Sequence, residues 1–359
     1  MTMNNNENLQ HITTEKRLPT PSSLINSLPL EAKLIKAISA ARKTIKDIIL
    51  GKDPRLLVIA GPCSLDDEKA ALTYAECLKS AAKQYADELF LVMRAYFSKP
   101  RTAEGWKGLI YDPFMNKSNN IEHGLYSTRK ILIAINHLIP TACEFLDPFS
   151  PVYLRDLISW CAIGARTSAS QIHREIASGL PMPVGFKNSV DGNIQVAIQA
   201  VKSASVPHHY LGINLAGEPI VTQTTGNDTC HVILRGSLQG PNYSQAHIEN
   251  TIQALHHAGL NPRLMVDCSH DNCGKKPERQ IQVIDELIHY RQLLSAQFEM
   301  PPLCGIMLES YLFSGRQDLN LSQGLTFGQS LTDPCLSWDE TAPLLEKLAR
   351  EMKANEYIR

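Results

Sequence analysis

Short apolar runs recur along the chain, and most of them lead directly into charged or metal-binding side chains. The runs lie at 56–60, 89–93, 162–165, 184–186, 232–234, 264–266 and 306–308. Buried strands of a parallel sheet read as continuous apolar runs because both of their faces are covered. In a barrel of parallel strands, binding and catalytic groups collect where the strands end. The pattern therefore predicts one site, built from many strand ends and rich in cations.

Predicted strands and helices alternate from residue 56 onward. The strands are predicted at 56–61, 89–95, 141–146, 160–165, 183–187, 208–214, 231–235, 264–268 and 304–309, which is one more than a (β/α)8 barrel requires. The helices are predicted near 68–83, 122–137, 151–158, 169–178, 191–203, 244–258, 277–295 and 338–353. Only a turn separates the run at 208–214 from a second run at 220–224, so the two predict a hairpin. We therefore expect an α/β fold, a (β/α)8 TIM barrel with a β-hairpin inserted at about 208–224.

The first fifty residues follow a different pattern. Apolar residues recur with a helical period between Leu30 and Leu50, and Gly51 is suited to end that helix. We expect residues 1–50 to form an N-terminal arm and helix, and residues 51–359 to form the barrel with its hairpin insertion.

Composition excludes several classes of protein. The 359 residues are 43% hydrophobic and carry a net charge of −1, so no global field favours nucleic acid or a membrane surface. No apolar stretch reaches the ~18–20 residues of a membrane-spanning helix. Nine cysteines are scattered without a Cys-x-x-Cys pair. Reduced thiols in a cytoplasmic protein are the simplest interpretation.

Six cations lie at or just after predicted strand ends. Arginine offers a bidentate fork and lysine a point charge, so together they suit phosphate and carboxylate groups. Taken singly, each is as readily a surface salt bridge, and Lys187 has a further alternative as a Schiff-base lysine. The six are Arg94, Lys99, Arg101, Arg166, Lys187 and Arg235.

A second set of side chains could bind a metal ion. Cys63, His270 and Glu309 lie at the ends of the first, seventh and eighth barrel strands, and Asp333 lies in the loop after the eighth. A thiolate, an imidazole and two carboxylates suit one divalent transition ion, such as Mn, Fe, Co, Zn or Cu. No short spacing announces the site, and a lone cysteine is more often simply buried.

At these residues the chain resembles the type I 3-deoxy-D-arabino-heptulosonate-7-phosphate (DAHP) synthases of enteric bacteria and yeast. The resemblance extends over nearly the whole chain. The matching segments, in order, are Gly61-Pro62-Cys63-Ser64, Lys99-Pro-Arg-Thr102, Gly105-Trp-Lys-Gly108, Glu144-Phe-Leu-Asp147, Gly164-Ala-Arg-Thr167, Val184-Gly-Phe-Lys-Asn188, Ile233-Leu-Arg-Gly236, Asp267-Cys-Ser-His270, Glu309-Ser310 and Thr332-Asp333.

The resemblance implies a metal-dependent condensation of phosphoenolpyruvate with D-erythrose 4-phosphate, the first step of the shikimate pathway. It implies that Cys63, His270, Glu309 and Asp333 hold the metal, and that Lys99, Arg94, His270 and Cys63 are catalytic. The implied phosphoenolpyruvate site is Arg94, Lys99, Ala165, Arg166, Lys187 and Arg235. The implied erythrose 4-phosphate site is Lys99, Pro100, Arg101, Thr102 and Asp333.

The family also has a feedback site outside the barrel, near the inserted hairpin. The matching positions are Pro151, Val152, Ile176, Leu180, Pro181, Tyr210, Gly212 and Thr222. Gly212 resembles the tyrosine-sensitive branch, since phenylalanine-sensitive relatives have Ser there. We therefore expect tyrosine as the effector. Pro181 and Val152 depart from the Ser and Gln usual in the family, so weakened feedback or another effector are the alternatives.

Family members are dimers or tetramers in which N-terminal segments cross between subunits, so we expect a homodimer or homotetramer with residues 1–50 in subunit contacts and regulation. Two other functions stay open. One is a related 3-deoxy-octulosonate-8-phosphate synthase that uses a five-carbon sugar phosphate. The other is a non-catalytic homologue that senses amino acids.

Overall fold

Eight parallel strands close into a barrel, as the apolar runs predict. The structure is a computed structural model that describes residues 11–101, 105–295, 297–298 and 301–356. The barrel strands are β1 (Leu56–Gly61), β2 (Leu89–Arg94), β3 (Thr141–Glu144), β4 (Trp160–Ile163), β5 (Val184–Lys187), β8 (His231–Leu234), β9 (Leu264–Asp267) and β10 (Leu303–Glu309). Their order around the barrel is β1-β10-β9-β8-β5-β4-β3-β2, and β2 pairs with β1 to close it.

The inserted hairpin consists of β6 (His209–Ile213) and β7 (Pro219–Gln223), which pair antiparallel outside the barrel. In its register, Tyr210 faces Thr222 and Gly212 faces Ile220. The prediction that this run is not a ninth barrel strand is confirmed.

Ten helices are present in the described residues, and most match the periodic pattern. They are α1 (Pro21–Ser27), α2 (Ala32–Ile49), α3 (Glu68–Gln84), α4 (Ile121–Asn136), α5 (Ser150–Leu154), α6 (Gln171–Ser178), α7 (Ile194–Ala204), α8 (Gln245–His257), α9 (Arg279–Ser295) and α10 (Trp338–Glu356). None of the helices in the described part of the chain is long and apolar enough to cross a membrane.

The helix predicted at 151–158 is wrong in its second half, where α5 gives way to a 3₁₀ turn at Arg155–Leu157. Side chains from distant segments bind the carbonyl groups here. Arg42 donates to the carbonyl oxygen atoms of Arg155 and Ile158 at 2.6 and 2.9 Å, and Arg129 donates to that of Tyr153 at 3.1 Å. These donors replace the hydrogen bonds that a continued α-helix would supply.

Alternation along each barrel strand separates two layers of core. Outward residues such as Val58 and Val232 pack beneath the helices, whereas inward residues such as Ile59 and Ile233 fill the barrel. Ile45, Ile48 and Ile49 of α2 join the inner layer. The N-terminal helix therefore contributes to the same core as the strands.

The inward row changes character towards the C-terminal ends of the strands. At five strand ends, an inward-facing charged residue follows two positions after an inward-facing apolar residue. Val92 precedes Arg94, Gly185 precedes Lys187, Ile233 precedes Arg235, Met265 precedes Asp267, and Met307 precedes Glu309. The barrel interior is thus apolar towards the N-terminal ends of the strands and charged towards their C-terminal ends. This explains why the apolar runs end in charged residues.

His231 is a buried imidazole in the inner layer, and it makes folding sensitive to acid. Its Nε2 accepts a hydrogen bond from Trp160 Nε1 at 3.3 Å, and its Nδ1 lies 3.0 Å from the Thr229 carbonyl oxygen. Burial lowers the pKa of His231 from 6.5 to about 4. The unfolded chain therefore binds a proton between pH 6.5 and 4 that the folded chain does not. We expect this residue to remove on the order of 3 kcal/mol of stability as the pH falls through that window.

Urea unfolding at pH 7 and pH 4.5 measures this loss. We expect the non-titrating variant His231→Gln to lose less stability between these two pH values than the wild type. Equal losses in both proteins would contradict the prediction.

Candidate active site

The predicted metal ligands meet at the C-terminal mouth of the barrel. Cys63 follows β1, Glu309 ends β10, and Asp333 lies in the loop before α10. The Cys63 sulfur and one carboxylate oxygen each from Glu309 and Asp333 lie within 4.8 Å of one another. These three residues are therefore close enough to share one ion.

His270, the fourth predicted ligand, lies beside this group. It is not among the residues whose ligand atoms all lie within 4.8 Å of one another. Its Nε2 is 3.8 Å from Glu309 Oε1, and its Nδ1 is 3.0 Å from Asp267 Oδ2. The backbone of His270 has φ of +56°, a conformation that L-residues adopt rarely and that the surrounding structure must impose. The imidazole is thus held with one nitrogen towards the three other ligands.

The Cys63 thiol is completely buried. Lys99 Nζ donates to its sulfur at 2.9 Å, and the thiol in turn donates to Asp333 Oδ2 at 3.4 Å. Burial and the nearby Glu309 raise the pKa of Cys63 to about 12 despite Lys99. Asp333 behaves oppositely: Lys99 and His270 outweigh its burial and lower its pKa to about 2. A metal ion binding here must displace the thiol proton.

Four of the predicted cations are buried at this mouth, and each faces an acid. Arg94 donates to Glu309 Oε1 at 2.7 Å, Lys187 donates to Asp267 Oδ2 at 2.8 Å, and Lys99 Nζ lies 3.8 Å from Asp333 Oδ2. The fourth pair joins Arg235 to Asp271. A buried charge is tolerated when it is paired, so this end of the barrel can hold many charges at once.

The other predicted substrate residues lie on the rim. Ala165 is half-buried and Arg166 exposed in the turn after β4. Pro100 and Arg101 are half-buried, and Arg101 Nε donates to the Trp106 carbonyl oxygen at 2.9 Å. Thr102 lies outside the described residues. The structure therefore places four of these cations deep in the mouth and two at its edge.

Two of the four acids that pair with the cations have no role in the sequence prediction. Asp267 stands there only in a matched segment and Asp271 is not named, although they face Lys187 and Arg235. Glu144, at the end of β3, is buried beside Gly164, where a Cβ atom would lie 2.1 Å from Glu144 Oε1. The signal for Asp267 and Glu144 was present, because both end barrel strands as Arg94 and Lys187 do.

A second cavity, of about 840 Å³, lies under the hairpin. Seven of the eight positions matched to the feedback site line it: Pro151, Val152, Ile176, Leu180, Tyr210, Gly212 and Thr222. Pro181 is exposed and is not among the lining residues. Arg155 and Glu175 add one cation and one anion to an otherwise largely apolar wall.

Comparison with known proteins connects this geometry to a family. The sequence profile of the DAHP synthetase I family matches residues 31–346. The chain is 47% identical over 344 residues to the Tyr-sensitive phospho-2-dehydro-3-deoxyheptonate aldolase of Escherichia coli K12, covering 95% of each chain. The chain belongs to the DAHP synthetase I family. The predictions of a DAHP synthase, a transferase of aromatic amino acid biosynthesis, are thereby confirmed.

Two further relatives of this chain show how far the likeness extends. The Phe-sensitive enzyme of E. coli K12 is 44% identical over 340 residues, covering 94% of this chain and 95% of its own. A solved phospho-2-dehydro-3-deoxyheptonate aldolase from Francisella tularensis SCHU S4 superposes with a TM-score of 0.92 at 43% identity, covering 96% of this chain and 99% of its own. The barrel prediction is confirmed. Relatives named for different amino acids match almost equally, so overall identity does not identify the effector.

The Arg94–Glu309 pair generates a prediction about stability. Both side chains are almost completely buried, so Glu309→Gln would leave the guanidinium without its nearest negative charge. We expect this variant of the metal-free protein to lose about 3–5 kcal/mol of unfolding free energy. Urea denaturation in the presence of EDTA measures this loss.

Glu76→Gln is the matched control, because Glu76 pairs with Lys79 on the exposed surface of α3. We expect it to change the unfolding free energy by no more than about 0.5 kcal/mol. A loss of unfolding free energy of similar size in both variants would contradict the prediction, because burial of the ion pair would then not increase the cost of breaking it.

Proposed function

We propose that the barrel mouth condenses phosphoenolpyruvate with D-erythrose 4-phosphate and water, giving DAHP and phosphate. The observation that carries this proposal is the combination of four buried cations with a cluster of thiol and carboxylate metal ligands at one end of the barrel. Phosphoenolpyruvate brings a carboxylate and a phosphate, and the sugar brings a second phosphate. The cations bind these three anionic groups.

The donor set fits one divalent metal ion. Thiolate, imidazole and carboxylate ligands together suit Mn, Fe, Co or Zn. When bound, the ion supplies a Lewis acid for the aldehyde oxygen of erythrose 4-phosphate. Cys63, Glu309 and Asp333 would hold it, with His270 as the fourth ligand.

The cations orient the substrates and balance the charge that develops during the reaction. Arg94, Lys187 and Arg235, with Arg166 at the rim, orient phosphoenolpyruvate so that its C3 faces the aldehyde carbon. A carbon–carbon bond forms between these two atoms, and water adds at C2 of phosphoenolpyruvate. Phosphate then leaves as the bond between C2 and the phosphate oxygen breaks. Fixed positive charges balance the developing charge without reorganising, so positioning carries much of the rate.

Lys99 has a special place in this arrangement. Its Nζ contacts the Cys63 sulfur and lies near Asp333, so it belongs to the metal site as much as to the substrate site. We assign Lys99 to both substrates, and Pro100, Arg101, Thr102 and Asp333 to erythrose 4-phosphate. Lys187 Nζ donates a hydrogen bond to Asp267 at 2.8 Å, a contact that supports an anion-binding lysine over the Schiff-base alternative.

We further propose that tyrosine inhibits the enzyme by binding in the cavity under the hairpin. The cavity is lined mainly by apolar side chains, with Arg155 and Glu175 to meet the carboxylate and ammonium groups of an amino acid. A Cβ atom at Gly212 would lie 2.6 Å from Thr222 Oγ1. The glycine thus keeps open the space that a phenol hydroxyl would need.

The assembly and the compartment are also proposals. The nine cysteines are free thiols, eight of them buried, which supports a reducing cytoplasm. We propose a homodimer or homotetramer in which residues 1–50 take part in subunit contacts.

An assay of initial rates tests the proposed reaction. With phosphoenolpyruvate and erythrose 4-phosphate, EDTA should abolish phosphate release and Mn²⁺ should restore it. We expect Cys63→Ala to fold normally, to bind Mn²⁺ weakly, and to lose nearly all activity, because the thiolate ligand is gone.

Cys77→Ala is the matched control, since Cys77 lies on α3 away from the cluster, and it should keep wild-type activity. Faster turnover of arabinose 5-phosphate than of erythrose 4-phosphate would favour the octulosonate-phosphate synthase. A metal-loaded protein inactive towards both sugars, yet binding tyrosine, would favour the amino-acid sensor.

The effector proposal predicts the behaviour of a hairpin variant. Tyrosine should inhibit the wild type more strongly than phenylalanine or tryptophan does. Gly212→Ser should weaken tyrosine inhibition by about tenfold or more, while the rate without effector is unchanged, because its side chain crowds Thr222. Gln223→Ser adds a hydroxyl on the opposite face of the hairpin and should leave inhibition intact. Stronger inhibition of the wild type by phenylalanine would refute the proposal.

A further inference from the structure

Asp267 lies between two side chains that belong to different halves of the proposed site. It is the last residue of β9, and its side chain is completely buried. Its Oδ2 accepts a hydrogen bond from Lys187 Nζ at 2.8 Å and lies 3.0 Å from His270 Nδ1. Its Oδ1 accepts from the backbone N and the hydroxyl of Ser269, at 3.0 and 2.5 Å. One carboxylate therefore faces a substrate-binding lysine and a metal-binding histidine.

The hydrogen bonds around Asp267 determine which nitrogen of His270 carries the proton. Both oxygens of Asp267 accept hydrogen bonds, Oδ2 from Lys187 Nζ and Oδ1 from the backbone N–H of Ser269, so the carboxylate acts here as an acceptor. Ser269 Oγ donates its own proton to Asp267, and therefore offers only a lone pair to His270 Nδ1, 2.7 Å away. Both neighbours of Nδ1 are thus acceptors, and Nδ1 must carry the hydrogen. The lone pair of the ring is left on Nε2, which faces Glu309 and the other ligands.

The same oxygen, Oδ2, receives both Lys187 and His270. A metal ion held by Nε2 would make the Nδ1–H group a stronger donor, which would then compete with Lys187 for that oxygen. A lysine that interacts less strongly with Asp267 can interact more strongly with an anionic substrate. Binding at one half of the site would then change the affinity of the other half.

We propose that Asp267 is a positioning residue that orients His270 for the metal and couples metal binding to phosphoenolpyruvate binding through Lys187. The inference rests on the proposed function, because it takes the metal site and the substrate site from it. The left-handed backbone of His270 fits this role, since a strained ligand needs a fixed partner to hold it.

Asp267→Asn tests the inference, because the amide keeps the size of the side chain and removes its charge. Two quantities are measured without sugar phosphate, so that no turnover occurs. The first is the dissociation constant of Mn²⁺, by competition with a chromophoric chelator. The second is the dissociation constant of phosphoenolpyruvate with and without Mn²⁺, by calorimetry.

We expect the variant to bind Mn²⁺ about 10–100-fold more weakly than the wild type. In the wild type, Mn²⁺ should tighten phosphoenolpyruvate binding by about fivefold or more, and in the variant this factor should fall towards one. Asp53→Asn is the matched control. Asp53 pairs with Arg55 just before β1, at the opposite end of the barrel, so both quantities should keep their wild-type values.

Unchanged Mn²⁺ affinity or an unchanged coupling factor in Asp267→Asn would overturn the inference while leaving the proposed reaction intact. A wild type that binds no Mn²⁺ would overturn the proposed metal dependence, and the inference with it. If Asp267→Asn does not fold, Ser269→Ala takes its place, since it removes the hydroxyl shared by Asp267 and His270. Its Mn²⁺ affinity should fall, and wild-type affinity would overturn the inference.

Discussion

Charge pairing inside the closed barrel is the constraint on which the rest of the structure depends. The two-residue period of a strand carries Arg94, Lys187, Asp267 and Glu309 to the inside of the barrel, where little water reaches them. Each of these charges is compensated by another that arrives from a different strand. Closure brings the partners together, and the pairs in turn make a charged interior compatible with a folded barrel.

Such an interior is poorly suited to stability alone. Well-packed apolar residues commonly equal or exceed a buried ion pair in stability, because desolvation offsets much of the attraction between the charges. In the proposed function, the pairs instead hold charged groups ready for anionic substrates and a metal cation. Glu309 and Asp333 face Arg94 and Lys99, so the proposed ion could bind these acids only by rearranging the charge pairs. This is the physical link between the unusual core and the proposed chemistry.

Much of the fold could be predicted from the sequence because the barrel depends on local pattern. Apolar runs and turn residues located all eight barrel strands and excluded the hairpin. The partners of the buried charges could not be predicted, since Arg94 and Glu309 lie 215 positions apart and meet only on closure. The same limit applies to the helix at 151–158, which Arg42 and Arg129 interrupt from distant segments. Pro181 was matched by position alone, and the structure turns it to solvent.

The segment 144–152 connects the barrel mouth to the hairpin cavity. It begins with Glu144 inside the barrel, and Phe149, Pro151 and Val152 line the cavity at its other end. Between them, Asp147 accepts hydrogen bonds from the backbone N atoms of Phe149 and Ser150 at 2.8 and 2.7 Å, and lies 3.5 Å from the Tyr111 hydroxyl. A ligand can shift an equilibrium only through contacts that differ between two states. This segment has contacts in both regions, which is the connection that the proposed feedback inhibition requires between the cavity and the mouth.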